Sequence, residues 1–352
     1  MLTRLTWFGC LLGCCLLVRA GEPDAPDAAP AVKKAEPANG LEGKRGQFAE
    51  KLKQLKEMKK GAGGTPAEGE SGKGRFADML KQFKGKQNRE PLDPNKFKRT
   101  SWKVGEETRE ALIYAPPAKD AKDKRPVVFA FHGHGGTAEH AARRINFHET
   151  WPEAISIYPQ GLPTAVPQID PEGRMPGWQK YVGDQDNRDL LFFDAMLKTL
   201  AADYQIDADR VYACGHSNGG YFSYVLLAGR SDPLAAVAPI AATHDVRNFK
   251  DTKPKPVFHV AGERDPLVRY ASQERTIEQI RKLNGCDAEG KPAGEFCTEY
   301  SSKSGPPVVA YLHPGAHEVP AGAIKLITEF FQKHSRAKAE GAPRVNFYPK
   351  KP

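Results

Sequence analysis

The feature that most constrains this chain is a glycine–serine pattern at the junction of a predicted strand and a predicted helix. Gly215, Ser217 and Gly219 form the pattern G-x-S-x-G; the strand-like run 211–213 precedes it and the helix-like run 221–228 follows it. A strand-to-helix turn this sharp holds the serine in a strained backbone conformation, and side chains at the two glycines would collide across it. The pattern therefore predicts a serine hydroxyl lifted into an open site.

Strand-like and helix-like runs alternate through the region 97–336, which we predict to be the folded domain. Apolar or alternating runs predict strands, the first of them as a hairpin, at 100–116, 126–131, 155–158, 235–242, 257–261 and 307–312. Further runs predict helices at 189–204, 270–283 and 321–334. Such alternation is typical of a mostly parallel central sheet with helices on both faces, so the predicted fold class is α/β.

Two loops offer the partners that a nucleophilic serine needs. A serine hydroxyl is a weak nucleophile until a base removes its proton, and that base must be oriented by a carboxylate. The loop 262–268 offers Asp265, with Glu263 as the competing acid, and the loop after the last predicted strand offers His317. Both loops follow strands, at the edge where open parallel sheets carry their sites. We therefore predict a catalytic set of Ser217, Asp265 and His317.

The same chemistry needs two backbone N–H donors for the negative oxygen that develops on the substrate. One is expected from Asn218, directly after the nucleophile. The other is expected from the glycine-rich loop 132–136, with His134 as the first choice and Gly135 as the second. Glycines here, Gly133 and Gly135, let the backbone approach a substrate closely. No Gly-Lys-Ser/Thr follows the loop, which argues against a phosphate cradle.

Four other side chains have predicted roles around these loops. His216, inside the elbow, is expected to point away from the nucleophile and to line the site. Trp178 is expected either to shape the acyl pocket or to support its own loop. His313 and His259 lie at or within predicted strands and are expected to be packed structural histidines.

The cysteines beyond the N-terminal segment number three. Cys286 and Cys297 lie close together in a polar, glycine-rich insertion, which in an exported protein predicts a disulfide that closes a short loop. Cys214, in the strand before the serine, is expected to be a buried apolar residue. The sequence contains no CxxC spacing, so no metal site is predicted at these cysteines.

The first twenty residues predict an export signal. Arg4 provides a positive start, 5–18 an apolar run and Val18-Arg19-Ala20 a small-residue cleavage site. The run is too short for a comfortable membrane span. Cys14 loosely fits a lipidation box, but apolar residues continue after it, which favours ordinary cleavage. The predicted localisation is secreted or periplasmic.

Residues 21–96 predict a disordered linker, because few of them are β-branched or aromatic. The linker contains a basic amphipathic repeat, at 44–60 and again at 73–89. Each copy is either a marginal solvated helix in a spacer or an element that adheres to an anionic surface. The chain carries a net charge of +9, much of it in these flanks, which argues against a nucleic-acid partner. Residues 337–352 predict a polar tail.

Five segments together resemble the polyhydroxybutyrate depolymerase-like and feruloyl esterases of carbohydrate esterase family 1: 132–136, 158–161, 204–220, 265–268 and 315–317. The resemblance covers about residues 100–335. It implies an α/β-hydrolase fold, an acyl-enzyme formed at Ser217, and no metal or organic cofactor. It also implies an ester substrate, either polyhydroxybutyrate-type polyester or oligomers, or feruloyl or acetyl esters of polysaccharide.

Two departures from that family lie near the mouth of the site. Glu318-Val319-Pro320-Ala321 stands where the family usually has Trp-Pro-Gly, and Arg269 precedes Tyr270 where the family often has proline. Both concern the choice of substrate rather than the catalytic set. The alternative hypotheses are a peptidase on the same fold, and a catalytically inactive surface-binding protein with a hydrolase fold.

Overall fold

The computed structural model of this protein describes residues 91–120, 123–167 and 169–336. The predicted signal peptide 1–20, both basic repeats of the predicted linker, and the predicted tail 337–352 lie outside the described residues. None of the helices in the described part has the length and apolarity that a bilayer crossing requires.

The strands follow the predicted order, with several short additions. They are β1 Lys98–Val104, β2 Glu107–Tyr114, β3 Arg125–Phe131, β4 Ile155–Pro159, β5 Leu162–Pro163, β6 Pro176–Gly177, β7 Ile206–His216, β8 Ala236–Ile240, β9 Val257–Gly262, β10 Lys291–Gly294, β11 Cys297–Tyr300 and β12 Val308–His313.

The α-helices connect these strands. They are α1 Ala138–Arg144, α2 Phe147–Thr150, α3 Arg188–Asp203, α4 Asn218–Gly229, α5 Val246–Phe249, α6 Tyr270–Leu283 and α7 Ala323–Gln332. Two short 3-10 helices, Pro94–Lys96 and Asp184–Asn187, complete the described elements.

Ten strands form one mixed sheet in the order β1-β2-β4-β3-β7-β8-β9-β12-β11-β10. The six inner strands, from β4 to β12, are parallel, and the outer strands on both sides are antiparallel. This is the mostly parallel α/β-hydrolase sheet that the sequence predicts, with its hairpin β1–β2. Because β7, β9 and β12 run the same way, the loops after them open at one edge of the sheet.

Hydrophobic packing covers both faces of this sheet. All seven residues of β3 are buried, as expected for a central strand that is covered on both sides. Val127 and Phe129 pack on one face with side chains from α3, α4 and α6. Val128 and Ala130 pack on the other face with side chains from α1, α2 and α7. The sheet thus lies between two helical layers, which leave its carboxyl edge for the loops.

A buried ion pair joins the start of α3 to β2. Arg109 Nη2 lies 2.7 Å from Asp189 Oδ1, and both side chains are fully buried. The other carboxylate oxygen of Asp189 accepts a hydrogen bond from the Gln179 backbone N–H at 2.8 Å. The Arg109 guanidinium also lies 4.3 Å from the centre of the Phe192 ring. Losing either charged partner would leave an uncompensated buried charge, which is strongly destabilising.

Three buried histidines make the stability of the domain depend on pH. Burial lowers the pKa of each of His132, His244 and His259 from 6.5 to about 4. The unfolded chain therefore binds these protons at a higher pH than the folded chain does. The stabilisation is complete above pH 6.5 and is lost as the pH falls towards about 4, by about 3 kcal/mol per histidine.

We expect the melting temperature to fall steeply across this pH range, and the variant His259→Gln to show a shallower dependence. Glutamine does not titrate there, so one proton fewer is taken up on unfolding. Thermal unfolding of both proteins at intervals from pH 7.5 to pH 4.5 would measure the two slopes. The slope is compared rather than the melting temperature at any one pH, because His259 also accepts a hydrogen bond from Tyr224. Equal slopes would contradict the prediction.

Candidate active site

The strand-to-helix turn between β7 and α4 holds Ser217 in a strained conformation. Its φ is 56° and its ψ −121°, values that a residue other than glycine rarely adopts. A Cβ atom at Gly215 would collide with the carbonyl of Gly219, and one at Gly219 would collide with the carbonyl of Phe131. The steric expectation for both glycines is thus confirmed. The Ser217 N–H donates to the carbonyl of Ile240 on β8 at 2.8 Å, which fixes the turn to the sheet.

The loops after β9 and β12 bring Asp265 and His317 together. The Nδ1 of His317 donates to Oδ2 of Asp265 at 2.8 Å; the carboxylate is fully buried and the imidazole is 7% exposed. The backbone N–H groups of Leu267 and Val268 donate to the other carboxylate oxygen, each at 2.8 Å. Glu263, the competing acid, is exposed. This pairing leaves the Nε2 of His317 as the nitrogen available for proton transfer.

Opposing effects set the charge of Asp265. Burial opposes its ionisation, but the hydrogen bond from His317 and those from the backbone outweigh burial, so the pKa of Asp265 lies below its ordinary value. The carboxylate is therefore negative at neutral pH, as is required to stabilise a protonated imidazole.

Ser217 and the His317 imidazole lie at the same edge of the sheet. The ring centres of His216 and His317 are 4.8 Å apart, and His216 directly precedes Ser217. Among the described side chains, no hydrogen bond links the Ser217 hydroxyl to His317. Such bonds are often long in enzymes without substrate and shorten in the substrate complex.

Two backbone N–H groups beside Ser217 are not used by the fold. Asn218 begins α4, and the N–H groups of the first helical turn have no partner inside the helix. The N–H of His134 donates no hydrogen bond within the described part of the chain. The N–H of Gly135, the second choice, donates to the carbonyl of Pro176 at 2.8 Å and is therefore occupied. A Cβ atom at Gly133 would lie 3.4 Å from the Ser217 Cβ, so this loop borders the nucleophile.

Trp178 supports its loop and does not line a pocket. The side chain is fully buried, and its Nε1 donates to the carbonyl of His132 at 2.9 Å. The indole ring packs against Phe131 and Phe222, with ring centres 5.2 and 5.4 Å away. Of the two roles that the sequence left open, these contacts favour the supporting one.

The other histidines are packed. His216 is 8% exposed, and burial together with the neighbouring His317 holds its pKa well below the ordinary value, so its ring is neutral at neutral pH. His313 is buried and accepts a hydrogen bond from the Gly315 N–H at 3.1 Å. His259 is fully buried against Tyr224. The expectation that His313 and His259 are structural is confirmed.

The predicted disulfide is wrong for this structure, in which Cys286 and Cys297 are both free thiols. Cys286 packs against the core on the face of the sheet that α6 covers, whereas Cys297 belongs to the core on the opposite face. The sheet therefore separates two residues that are close in sequence. Cys214 is buried, as predicted. In the described part of the chain, no group of three or more His, Cys, Asp or Glu side chains is placed to hold a metal ion.

Two polar side chains, those of Asn218 and Asp170, organise the site in ways that the sequence did not indicate. The Asn218 side chain holds the Trp178 backbone at both ends: its Oδ1 accepts from the N–H at 2.7 Å and its Nδ2 donates to the carbonyl at 3.2 Å. Asp170 accepts a hydrogen bond from the His134 ring at 3.1 Å. Asn218 was found only as a backbone donor, and an aspartate in a polar loop carries no spacing signal.

Comparison with known proteins supports an ester hydrolase. Residues 177–264 match the model of the prolyl oligopeptidase family. The putative esterase NocK of Nocardia uniformis subsp. tsuyamanensis is 30% identical over 63% of this chain and 73% of its own length. The probable feruloyl esterase C of Aspergillus clavatus is 28% identical over 60% of this chain and 76% of its own length.

Two further matches support less about this chain, one because of its low coverage and the other because of its low identity. The bifunctional acetylxylan esterase/xylanase XynS20E of Neocallimastix patriciarum is 24% identical over 58% of this chain, but this chain covers only 28% of its length. The solved acetyl xylan esterase from Aspergillus awamori superposes with a TM-score of 0.51 at 14% identity, covering 67% of this chain and 98% of that one. At that identity, the structural likeness concerns the fold alone.

Proposed function

The chain belongs to the esterases of the α/β-hydrolase family, and we propose that it is a serine carboxylic-ester hydrolase that works through an acyl-enzyme at Ser217. One observation carries the proposal. A serine strained at the start of α4 shares the carboxyl edge of the sheet with a buried His317–Asp265 pair joined at 2.8 Å. Such an arrangement supplies nucleophile, base and orienting carboxylate together.

In the proposed mechanism, Ser217 Oγ attacks the ester carbonyl carbon while Nε2 of His317 takes the hydroxyl proton. The negative oxygen of the tetrahedral intermediate accepts hydrogen bonds from the backbone N–H groups of Asn218 and His134. His317 then gives its proton to the leaving alkoxide, which departs as the alcohol. Water attacks the acyl-enzyme, His317 takes its proton, and the carboxylic acid leaves as Ser217 regains a proton. Asp265 stabilises the imidazolium in both halves.

The proposed substrates are feruloyl or acetyl esters of polysaccharide, with polyhydroxybutyrate-type polyester or oligomers as the remaining class. The first class is supported by relatives named as feruloyl and acetylxylan esterases, which match 60% and 58% of this chain. We further propose that residues 1–20 direct export to the periplasm or the medium and that 97–336 form the esterase domain.

Covalent labelling tests the assignment of the nucleophile. A fluorophosphonate reacts with activated serines, so we expect one adduct per chain, on the tryptic peptide that contains Ser217. Labelling should abolish hydrolysis of p-nitrophenyl acetate and methyl ferulate by the full chain, and methyl ferulate should slow the labelling. An adduct at another residue, or full activity after complete labelling, would contradict the proposal.

A peptidase is the second candidate, because the model that matches residues 177–264 describes a peptidase family. An esterase and a peptidase would both be labelled at the serine, so the two are distinguished by the substrates that they cleave. We expect p-nitrophenyl acetate and methyl ferulate to be cleaved and a prolyl p-nitroanilide peptide to be left intact. Faster cleavage of the peptide would favour the peptidase. Absence of both labelling and turnover would favour the catalytically inactive alternative.

A further inference from the structure

We propose that residues 169–178 form a brace that fixes the spacing of the two backbone donors of the oxyanion hole, and that Asp170 is its positioning residue. The inference rests on the proposed function, since it assigns a role in the same reaction. Residues 169–178 contact the loop that carries His134 at one end and the helix start that carries Asn218 at the other.

The brace forms two hydrogen bonds with the loop that carries His134. Oδ2 of Asp170 accepts a hydrogen bond from Nε2 of the His134 ring at 3.1 Å. The carbonyl of Pro176 accepts a hydrogen bond from the Gly135 N–H at 2.8 Å. The His134 side chain and the next peptide N–H are thus both tied to the brace, while the N–H of His134 itself is left for the substrate. Both attachments directly follow that donor along the chain, and together they fix the orientation of the residue that carries it.

Asp170 is itself held firmly within the brace. Its carboxylate accepts from the backbone N–H groups of Met175 at 2.8 Å and Arg174 at 3.1 Å. Its backbone pairs with Val166 in both directions, at 2.7 and 2.9 Å. The carboxylate therefore reaches His134 from a fixed position.

The other end of the brace meets the second donor. The Asn218 side chain bonds both the N–H and the carbonyl of Trp178. Gly177 lies between the side chains of the two donor residues: a Cβ atom there would come within 2.8 Å of His134 Nδ1 and 2.9 Å of Asn218 Oδ1. Pairing of β6 with β5 anchors this stretch. A single short segment thus touches the side chains of both residues whose backbones are proposed to bind the oxyanion.

The hydrogen bond between His134 and Asp170 is shielded from water, so its geometry is well fixed. The two side chains are only 5% and 8% exposed. Burial lowers the pKa of His134, while the hydrogen bond and charge of Asp170 oppose that shift. Backbone N–H groups, first that of Met175, hold the pKa of Asp170 below its ordinary value. At neutral pH, a neutral imidazole therefore donates Nε2–H to a carboxylate, and its Nδ1 stays buried without a partner.

Placement of these donors matters because they act mainly on the transition state. Donors that are already in position stabilise the developing charge without reorganising at the moment of reaction. Removing one such donor costs about 10²- to 10³-fold in kcat, and a misplaced one should cost less. The brace should therefore affect kcat far more than KM.

The variant Asp170→Ala tests the inference in the full chain. Alanine has no side-chain oxygen, so the His134 ring and the Met175 N–H both lose their acceptor. We expect kcat for p-nitrophenyl acetate to fall about 10- to 100-fold, with KM within about threefold of the wild type. Affinity for an aryl boronic acid, which forms a tetrahedral adduct with the serine, should fall in parallel with kcat.

The matched control is Glu172→Gln in the same segment. Glu172 is exposed, and within the described residues its ion pair is with exposed Arg174, so the kcat, KM and boronic acid affinity of this variant should equal those of the wild type. His134→Gln keeps a donor for Asp170 and should retain more kcat than His134→Ala. Because His134→Ala and Asp170→Ala break the same bond, their double variant should lose no more kcat than the less active of the two single variants.

Several results would overturn the brace. They are an Asp170→Ala enzyme with wild-type kcat and boronic acid affinity, a loss confined to KM or to melting temperature, and fully additive losses in the double variant. These outcomes are distinct from failure of the proposed function. That failure would appear in the wild type, as absence of fluorophosphonate labelling at Ser217.

Discussion

Replacing Ser217 with alanine is expected to lower kcat for p-nitrophenyl acetate and methyl ferulate by about 10⁴-fold or more. The variant lacks the oxygen that forms the acyl-enzyme, so only solvent water, activated weakly by the remaining groups, can attack the ester. Binding should persist, since the donors and the walls of the site remain. Steady-state kinetics, with enzyme purified separately from the wild type to avoid carry-over, would measure the loss.

Ser223→Ala is the matched control for this variant. Ser223 lies on the same helix and is fully buried, and its hydroxyl donates to the carbonyl of Gly219 at 3.0 Å. Its replacement removes one helix hydrogen bond of the neutral kind, with a net value of about 1 kcal/mol. We expect kcat to stay within about threefold of the wild type. A Ser217→Ala enzyme as active as this control would show that Ser217 is not the nucleophile.

Replacing Asp265 with asparagine is expected to lower kcat by about 10⁴-fold while leaving the fold intact. The backbone N–H groups of Leu267 and Val268 still find an oxygen, so the amide nitrogen takes the place of Oδ2 beside His317. The imidazole then turns to the tautomer with its proton on Nε2, where it cannot accept the proton of Ser217. The negative charge that stabilises the imidazolium is lost as well.

Glu263→Gln separates this effect from a general change in the loop. Glu263 precedes Asp265 by two residues and is exposed, so its replacement should leave kcat unchanged. Melting temperatures of both variants would show whether the loop has kept its structure. If Glu263→Gln were the inactive variant and Asp265→Asn the active one, the acid of the proposed set would have to be reassigned.

Much of the fold follows from periodicity and strand composition. Helix α6 begins and ends at the predicted residues, Tyr270 and Leu283, and β3 starts one residue earlier than predicted. The apolar side chains of α6 recur at helical spacing, whereas β3 is a short continuous apolar run with β-branched and aromatic residues, which is typical of a buried strand. Asp265 and His317 were proposed from their places after two strands, and the parallel sheet brings these loops together. The order of strands and loops along the chain was enough to predict this pair, because the loops after neighbouring parallel strands lie close together in the sheet.

The brace could not be predicted, for a different reason. Asp170 and His134 are 36 residues apart, in loops whose path depends on the pairing of two-residue strands. No periodicity marks such short strands. The antiparallel hairpin β10–β11 was likewise missed, because its first strand is wholly exposed and contains proline and glycine. The predicted disulfide was wrong because it rested on the short sequence distance between Cys286 and Cys297. That distance does not determine the face of the sheet on which each side chain lies.

The opposite placement of Cys286 and Cys297 bears on how the protein matures. With all three described cysteines as thiols, the described domain contains no disulfide that a thiol oxidant must form or a disulfide isomerase must rearrange. The thioredoxin and glutathione of a producing cell would therefore find no disulfide between these residues to reduce.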